Sequence, residues 1–312
     1  MAPSGNETVH ANGNTILFSG AGGVRLRATR YGDPLSPPAL LLHGGGQTRY
    51  AWADTATALA EAGYCACTID ARGHGDSDWS PDGDYRADML AADLAEVIRS
   101  LDADPVIIGA SMGGLTAILT LGEDPTLTCR ALVLVDVAPR LERAGVRRII
   151  EFMLRHQDGF ASLEQVRDAI SAYNPHRSPP EDLSGLRKNL RQRADGRYYW
   201  HWDPAFLDHA RMPVDDEEMF NVSRLNAAAQ HINAPTLLIR GHQSDVLSDT
   251  GARELLSIIP HARYAVLDKA GHMVAGDRNT AFTETVLNFL TPLEMTGKHR
   301  LQANSELTGV TR

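Results

Sequence analysis

Residues 106–115 read Val106-Ile107-Ile108-Gly109-Ala110-Ser111-Met112-Gly113-Gly114-Leu115. A short β-branched run enters a G-x-S-x-G pentapeptide, and a helix-forming stretch, residues 115–121, leaves it. Strand, tight turn and helix in that order form the setting in which such a serine becomes a nucleophile. The turn leaves little room for side chains on either side of the serine, and Gly109 and Gly113 supply that room. The helix that follows aims its first amides and the positive end of its dipole at the same place. An anion forming beside Ser111 is therefore stabilised.

Outward from this turn the chain alternates between the two periodicities. Residues 15–18 and 24–31 read as two early strands, and 39–42, 64–69, 106–108 and 131–135 as buried strands. Helices are expected over residues 50–61, 85–101 and 112–121. The run at 131–135 is apolar throughout, as in the middle of a parallel sheet. Residues 139–230 break the pattern, being rich in Arg, Pro and aromatic residues and without a buried-strand run. Alternation resumes with strands at 236–239 and 263–267 and helices at 250–258 and 278–290. The ordering predicts an α/β core over residues 1–138 and 231–291, a helical insertion over 139–230, and a polar, loose tail over 292–312.

Composition bounds the rest. The 312 residues are 43% hydrophobic and 22% charged, which suits a globular chain with a sizeable core. A net charge of −9 argues against nucleic acid and anionic membrane surfaces as partners. No apolar run reaches the roughly 18 residues that span a bilayer, and the polar start, residues 1–14, has no signal-peptide pattern. The three cysteines lack metal-ligand spacing. Cys65 and Cys67 read as core thiols, and the expected location is cytoplasmic. No metal or cofactor is expected.

A serine hydroxyl needs a base to take its proton, and the base needs a partner to hold its tautomer. Of the 12 histidines, His272 follows the last expected strand, where an α/β sheet places active groups. His43 and His74 precede glycines in tight loops and read as backbone-bonding side chains. For the acid, Asp245 follows the strand at 236–239 and is the first candidate. Asp136, at the end of the strand 131–135, competes with it, and Asp249 suits a helix cap. The run His43-Gly44-Gly45-Gly46 leaves a strand with three side-chain-free residues, so its amides can face a substrate oxygen. Gly45 and Met112 are the expected oxyanion donors, with Gly46 as a substitute for Gly45.

These motifs together resemble the α/β-hydrolase superfamily. The matches are His43-Gly44-Gly45-Gly46, the block from Asp70 to Ser77, Gly109 to Gly113, Asp245 and Gly271-His272, over roughly residues 15–291. The resemblance implies a mostly parallel eight-stranded sheet flanked by helices, with the insertion after the sixth strand acting as a cap over the serine. The serine nucleophile departs from the dehalogenase and epoxide hydrolase branches, which use aspartate there. The implied activity is hydrolysis of a small-molecule ester or lactone through a Ser111–His272–Asp245 triad. C–C bond hydrolysis, cofactor-free haloperoxidase chemistry and a non-enzymatic ligand receptor use the same machinery and stay open, as does the oligomeric state. In the cap, Tyr198-Tyr199-Trp200-His201-Trp202 is dense for a chain only 6% aromatic. Its tryptophans either anchor the cap or line the pocket. The arginines of 187–197 read as a solvated helix face.

Overall fold

Apolar runs bounded by glycine and proline become strands, and the amphipathic runs between them become helices. The computed structural model describes residues 9–10, 13–174, 182–208 and 221–307. The expectations for residues 1–8, 11–12, 175–181, 209–220 and 308–312 lie outside the described residues. In chain order the strands are β1 (Val9–His10), β2 (Gly13–Ser19), β3 (Arg25–Tyr31), β4 (Pro38–Leu42), β5 (Cys65–Ile69), β6 (Val106–Ala110), β7 (Ala131–Val135), β8 (Leu190–Gln192), β9 (Tyr198–Trp200), β10 (Thr236–Gly241) and β11 (Arg263–Leu267). Except for the β8–β9 ribbon they form one sheet in the order β1-β2-β3-β5-β4-β6-β7-β10-β11. β1 is a two-residue addition, and the remaining eight strands are those implied by the sequence. The six strands from β5 to β11 pair in parallel, while β1, β2 and β3 are antiparallel. β6 and β7 occupy the centre, which is why Val106–Ile108 and Ala131–Val135 are apolar on both faces and buried.

Helices cover both faces. On one side α2 (Ala87–Arg99), α3 (Met112–Glu123), α6 (Val222–Gln230) and α7 (Asp249–Ile258) pack Leu94, Ile118, Leu225 and Leu255 into a core with Leu132 and Leu134. On the other, α1 (Ala53–Glu61) and α8 (Asn279–Leu307) pack Leu59, Phe282, Val286 and Phe289 with Trp52 against Val133 and Ile239. Cys65 and Cys67 are buried and unbridged in β5. Among the described residues no helix is long and apolar enough to cross a membrane.

Three expectations are corrected. α6 lies within residues 139–230 yet belongs to the core, because Leu225, Ala228 and Ala229 are buried against α3. A methyl group on Gly122 of α3 would strike the Ala228 backbone, and the ring of His231 bonds the Gly122 carbonyl at 3.0 Å. The inserted segment is also mixed rather than purely helical. It contains α4 (Arg143–Leu154), α5 (Leu163–Tyr173), the β8–β9 ribbon and two 3₁₀ turns, Ser184–Asn189 and Pro204–Leu207. The arginines of 187–197 therefore sit on a turn and a ribbon, where Arg187 lies over the Tyr198 ring and Arg193 over Tyr199. Finally, the last helix does not stop before Pro292. Its backbone continues to Leu307, and Leu293 packs on the same apolar face as Leu290.

The close approach of α3 to α6 has a measurable consequence. Gly122→Val should lower stability by about 1–3 kcal/mol through overpacking, read as a drop in thermal midpoint. An unchanged midpoint would show that α6 is not clamped to the core.

Candidate active site

The glycines of the serine turn are dictated by contact. A Cβ on Gly109 would lie 2.6 Å from the Gly113 carbonyl oxygen, and one on Gly113 would lie 2.5 Å from the Leu42 carbonyl oxygen. Strand β6 thus runs directly into α3 with no gap. The residue between them is forced to φ 47° and ψ −117°, and that residue is Ser111. Such a backbone is strained for a side-chain-bearing residue and is characteristic of functional turns. Gly114 and Leu115 donate their amides to the Ser111 carbonyl at 2.9 and 3.0 Å, starting the helix. Met112 is its first residue, where amides have no partner one turn earlier.

In the glycine loop after β4 the amides of Gly45 and Gly46 stand in different positions. The Gly44 amide donates to Gln47 Oε1 at 3.0 Å, and the Gly46 amide donates to His74 Nε2 at 3.2 Å. The Gly45 amide has no partner among the described residues, and a Cβ there would meet open space. Gly46 is therefore already committed. The Sδ and Cε of Met153, from the inserted segment, lie close over it.

Under this loop lie three buried imidazoles. His43 and His74 are 5.2 Å apart, ring centre to ring centre, and His74 and His201 5.9 Å. Each accepts a backbone amide on one nitrogen: Ala71 on His43, Gly46 on His74 and Gly75 on His201. Burial pushes His43 down to about 4 and His74 down to about 3, and it drives His201 in the same direction. The rings are therefore neutral acceptors. Beside them Asp70 forms a buried ion pair with Arg49 and fixes the entry to α1.

His272 lies in the loop after β11, as expected. Its Nδ1 is 2.7 Å from Oδ2 of Asp136, whose side chain is fully buried. Asp136 leaves β7 at φ 51°, and its carboxylate also accepts the Gly241 amide at 2.9 Å and the Ser244 hydroxyl. Asp245 is elsewhere. Its carboxylate pairs with Arg148 of α4 at 2.5 Å and is about one third exposed. The expectation that Asp245 partners His272 is thus corrected in favour of its competitor. β7 and β10 are adjacent and in register through Ile239 and Val135, so both strand ends open towards the histidine loop. The left-handed turn at Asp136 directs its side chain under that loop, whereas the turn 241–245 carries Asp245 outward to Arg148 of the inserted segment. The role of Ser244 had no sequence signal beyond its place in that turn. Asp249 pairs with Arg253, and Ser248 is the cap of α7.

Ser111, Met112, Gly45 and His272 line one cavity of about 1410 Å³. Its far walls come from the inserted segment, chiefly Phe152, Met153, Trp200, Trp202 and Phe206. Trp200, the last residue of β9, and Trp202, two residues further on, stack at 5.1 Å and 12°. Trp202 is also an anchor. It is buried with Met153 and Leu207, and its neighbours His201 and Asp203 bond the Gly75 amide and the Gly73 carbonyl. Anchoring and lining thus fall to the same aromatic run. Among the described residues no group of three or more His, Cys, Asp or Glu side chains is placed to hold a metal.

Comparison with known proteins places the fold. The sequence profile of the alpha/beta hydrolase fold matches residues 37–278. The esterase Rv0045c of Mycobacterium tuberculosis is 31% identical over 274 residues, covering 85% of this chain and 86% of that protein. Its crystal structure superposes with a TM-score of 0.69, covering 91% of this chain and 94% of that one at 30% identity. The sn-1-specific diacylglycerol lipase ABHD11 of Mus musculus is 28% identical over 83% of this chain and 82% of its own length. A crystal structure of an alpha/beta hydrolase from Novosphingobium aromaticivorans has a TM-score of 0.75 at 25% identity, covering 91% of this chain and 99% of its own.

The two carboxylates can be ranked by experiment. Asp136→Asn should lower kcat by on the order of 10³–10⁴, as when a buried acid no longer selects the tautomer of its histidine. Asp245→Asn should change kcat less than about threefold, since it removes a partly exposed ion pair. The opposite ranking in steady-state kinetics would return the role to Asp245. The neutral histidines set a pH dependence. Unfolded, they bind protons below about 6.5, whereas His43 and His74 stay unprotonated in the fold down to about 4 and about 3. The unfolded chain therefore holds more protons over this window, and stability falls as pH drops from about 6.5 towards 4. Thermal melts should show that slope, and His74→Gln should flatten it. An equal slope in the variant would contradict the assignment.

Proposed function

This chain belongs to the alpha/beta hydrolase fold family and is a hydrolase, and from that premise we propose that it cleaves carboxylic esters or lactones with a large apolar portion through an acyl-enzyme. One observation carries the reading. Ser111, held at the strained turn, shares an apolar cavity with His272, whose Nδ1 is bonded to the buried Asp136.

In this reading Ser111 Oγ attacks the ester carbonyl. With Nδ1 committed to Asp136, Nε2 of His272 is the nitrogen that takes the serine proton and returns it to the leaving alkoxide. The carbonyl oxygen becomes an oxyanion between the amides of Gly45 and Met112. Donors fixed in place before reaction stabilise that charge without reorganisation. Asp136 holds the ring and balances the imidazolium. Water then repeats the sequence on the acyl-enzyme, with His272 as base.

The cavity supports the substrate class. Small-molecule sites commonly measure about 300–1000 Å³, so one of about 1410 Å³ takes a bulky acyl or ring portion. Its aromatic wall favours such groups by area and by ring contact. The two relatives, an esterase and a diacylglycerol lipase, both act on esters.

A fluorophosphonate should label Ser111 alone, and Ser111→Ala should abolish labelling and lower kcat by several orders of magnitude. On nitrophenyl esters, Trp200→Ala should weaken kcat/KM more for a long acyl chain than for acetate, by roughly 1–3 kcal/mol. An adduct on another serine would end the nucleophile assignment. Equal losses on both esters would remove Trp200 from the acyl wall.

A further inference from the structure

We infer that Ser244 is a positioning residue: its hydroxyl fixes the orientation in which Asp136 meets His272. The inference rests on the reading of Ser111, His272 and Asp136 as a triad.

Asp136 is fully buried, so water does not orient its carboxylate. The terminal torsion of an aspartate is soft, and only directional donors define it. Oδ1 has the Gly241 amide at 2.9 Å. Oδ2 is shared between His272 Nδ1 and the Ser244 hydroxyl. A serine hydroxyl ordinarily rotates, carrying one proton and two acceptor sites. Here the oxygen accepts the Val246 amide at 3.2 Å and the Leu247 amide at 3.1 Å. Both acceptor sites are thereby filled by the backbone, and the single proton is left for Asp136. Direction is imposed by the turn itself.

The same turn supplies the other donor. The Ser244 amide closes it onto the Gly241 carbonyl at 3.0 Å, and the Gly241 amide holds Oδ1. The last residue of β10 and a residue of the turn that follows it therefore grip both oxygens of a carboxylate at the end of β7. The turn that could have carried an acid of its own, Asp245, instead supplies a donor to the acid on the neighbouring strand. Without the Ser244 proton, Oδ2 keeps only the histidine. The carboxylate can then turn away from the ring when His272 is neutral and the attraction between them is weakest.

Kinetics of Ser244→Ala, Ser244→Thr, Asp136→Asn and the Ser244→Ala/Asp136→Asn double variant test this, with fluorophosphonate labelling of Ser111 as a second rate and thermal melts alongside. Ser244→Ala should lower kcat about 10–30-fold with KM changed less than about twofold, because orientation matters to the chemical step and not to binding. Ser244→Thr keeps the hydroxyl and should recover kcat to within about threefold of the parent. In the Asp136→Asn background the alanine should cost less than about twofold more, since a residue acting through Asp136 has nothing left to act on. A merely structural role would cost the same in both backgrounds, and that result would overturn the inference. So would a Ser244→Ala enzyme within twofold of the parent. If the threonine methyl lowers the melting temperature, the comparison of backgrounds decides. Full activity of Asp136→Asn would instead overturn the triad assignment beneath it, a result that Ser244→Ala alone cannot produce.

Discussion

A carboxylate shut away from water is tolerated only where donors surround it, and Asp136 meets that requirement with the Gly241 amide, the Ser244 hydroxyl and the ring of His272. Its three partners come from the end of β10, the turn that follows it and the loop after β11. Those loops sit together because β7, β10 and β11 are successive parallel neighbours. Their register ends β7 opposite Ile239, short of the ends of β10 and β11 at the paired residues Gly241 and Leu267, so a side chain leaving β7 can be gripped from β10 and can hold a ring presented after β11. The central strands are apolar on both faces so that they can occupy that interior. The sheet is in this sense a frame for one buried charge and the histidine it orients.

Much of this is legible in the chain. The serine turn announces itself because its constraint is steric. Nothing larger than glycine fits where Gly109 meets Gly113, and such crowding leaves a mark in the sequence. The glycine loop and the position of His272 are readable for similar reasons, one through bare residues after a strand and the other through its place after the last strand. The acid is harder. Asp136 and Asp245 both follow strands, and both strands end on the same edge of the sheet. What separates them is a left-handed backbone at Asp136 and a guanidinium, Arg148, brought over Asp245 by the inserted segment. Neither is encoded in local periodicity. The inward boundary of the insertion is lost for a related reason. α6 has the same kind of amphipathic composition as the helices before it, and only the bare face of Gly122 tells it where to dock.

The inserted segment is tied to the catalytic loops more closely than a separate lid would be. Met153 closes over Gly46, Phe206 meets the edge of the His74 ring at 4.7 Å, and His201 takes the Gly75 amide. These contacts reach the loop whose Gly45 amide is assigned to the oxyanion. Aromatic residues suit this position, since they fill space with few torsions and present flat faces to a substrate. Arg148 and Asp245 add an ion pair between α4 and the turn that holds Asp136. The cavity wall and the loop that carries Gly45 are thereby connected through a few packed rings and one turn.

The central claim is that the histidine is held by Asp136 and by no other carboxylate. The most direct observation is the proton on His272 Nδ1, which a strong hydrogen bond to a buried carboxylate moves far downfield in a proton NMR spectrum. That resonance should be present in the parent protein and in Asp245→Asn, and absent in Asp136→Asn while the rest of the spectrum stays folded. A downfield proton that survives Asp136→Asn, or one that disappears in Asp245→Asn, would contradict the account.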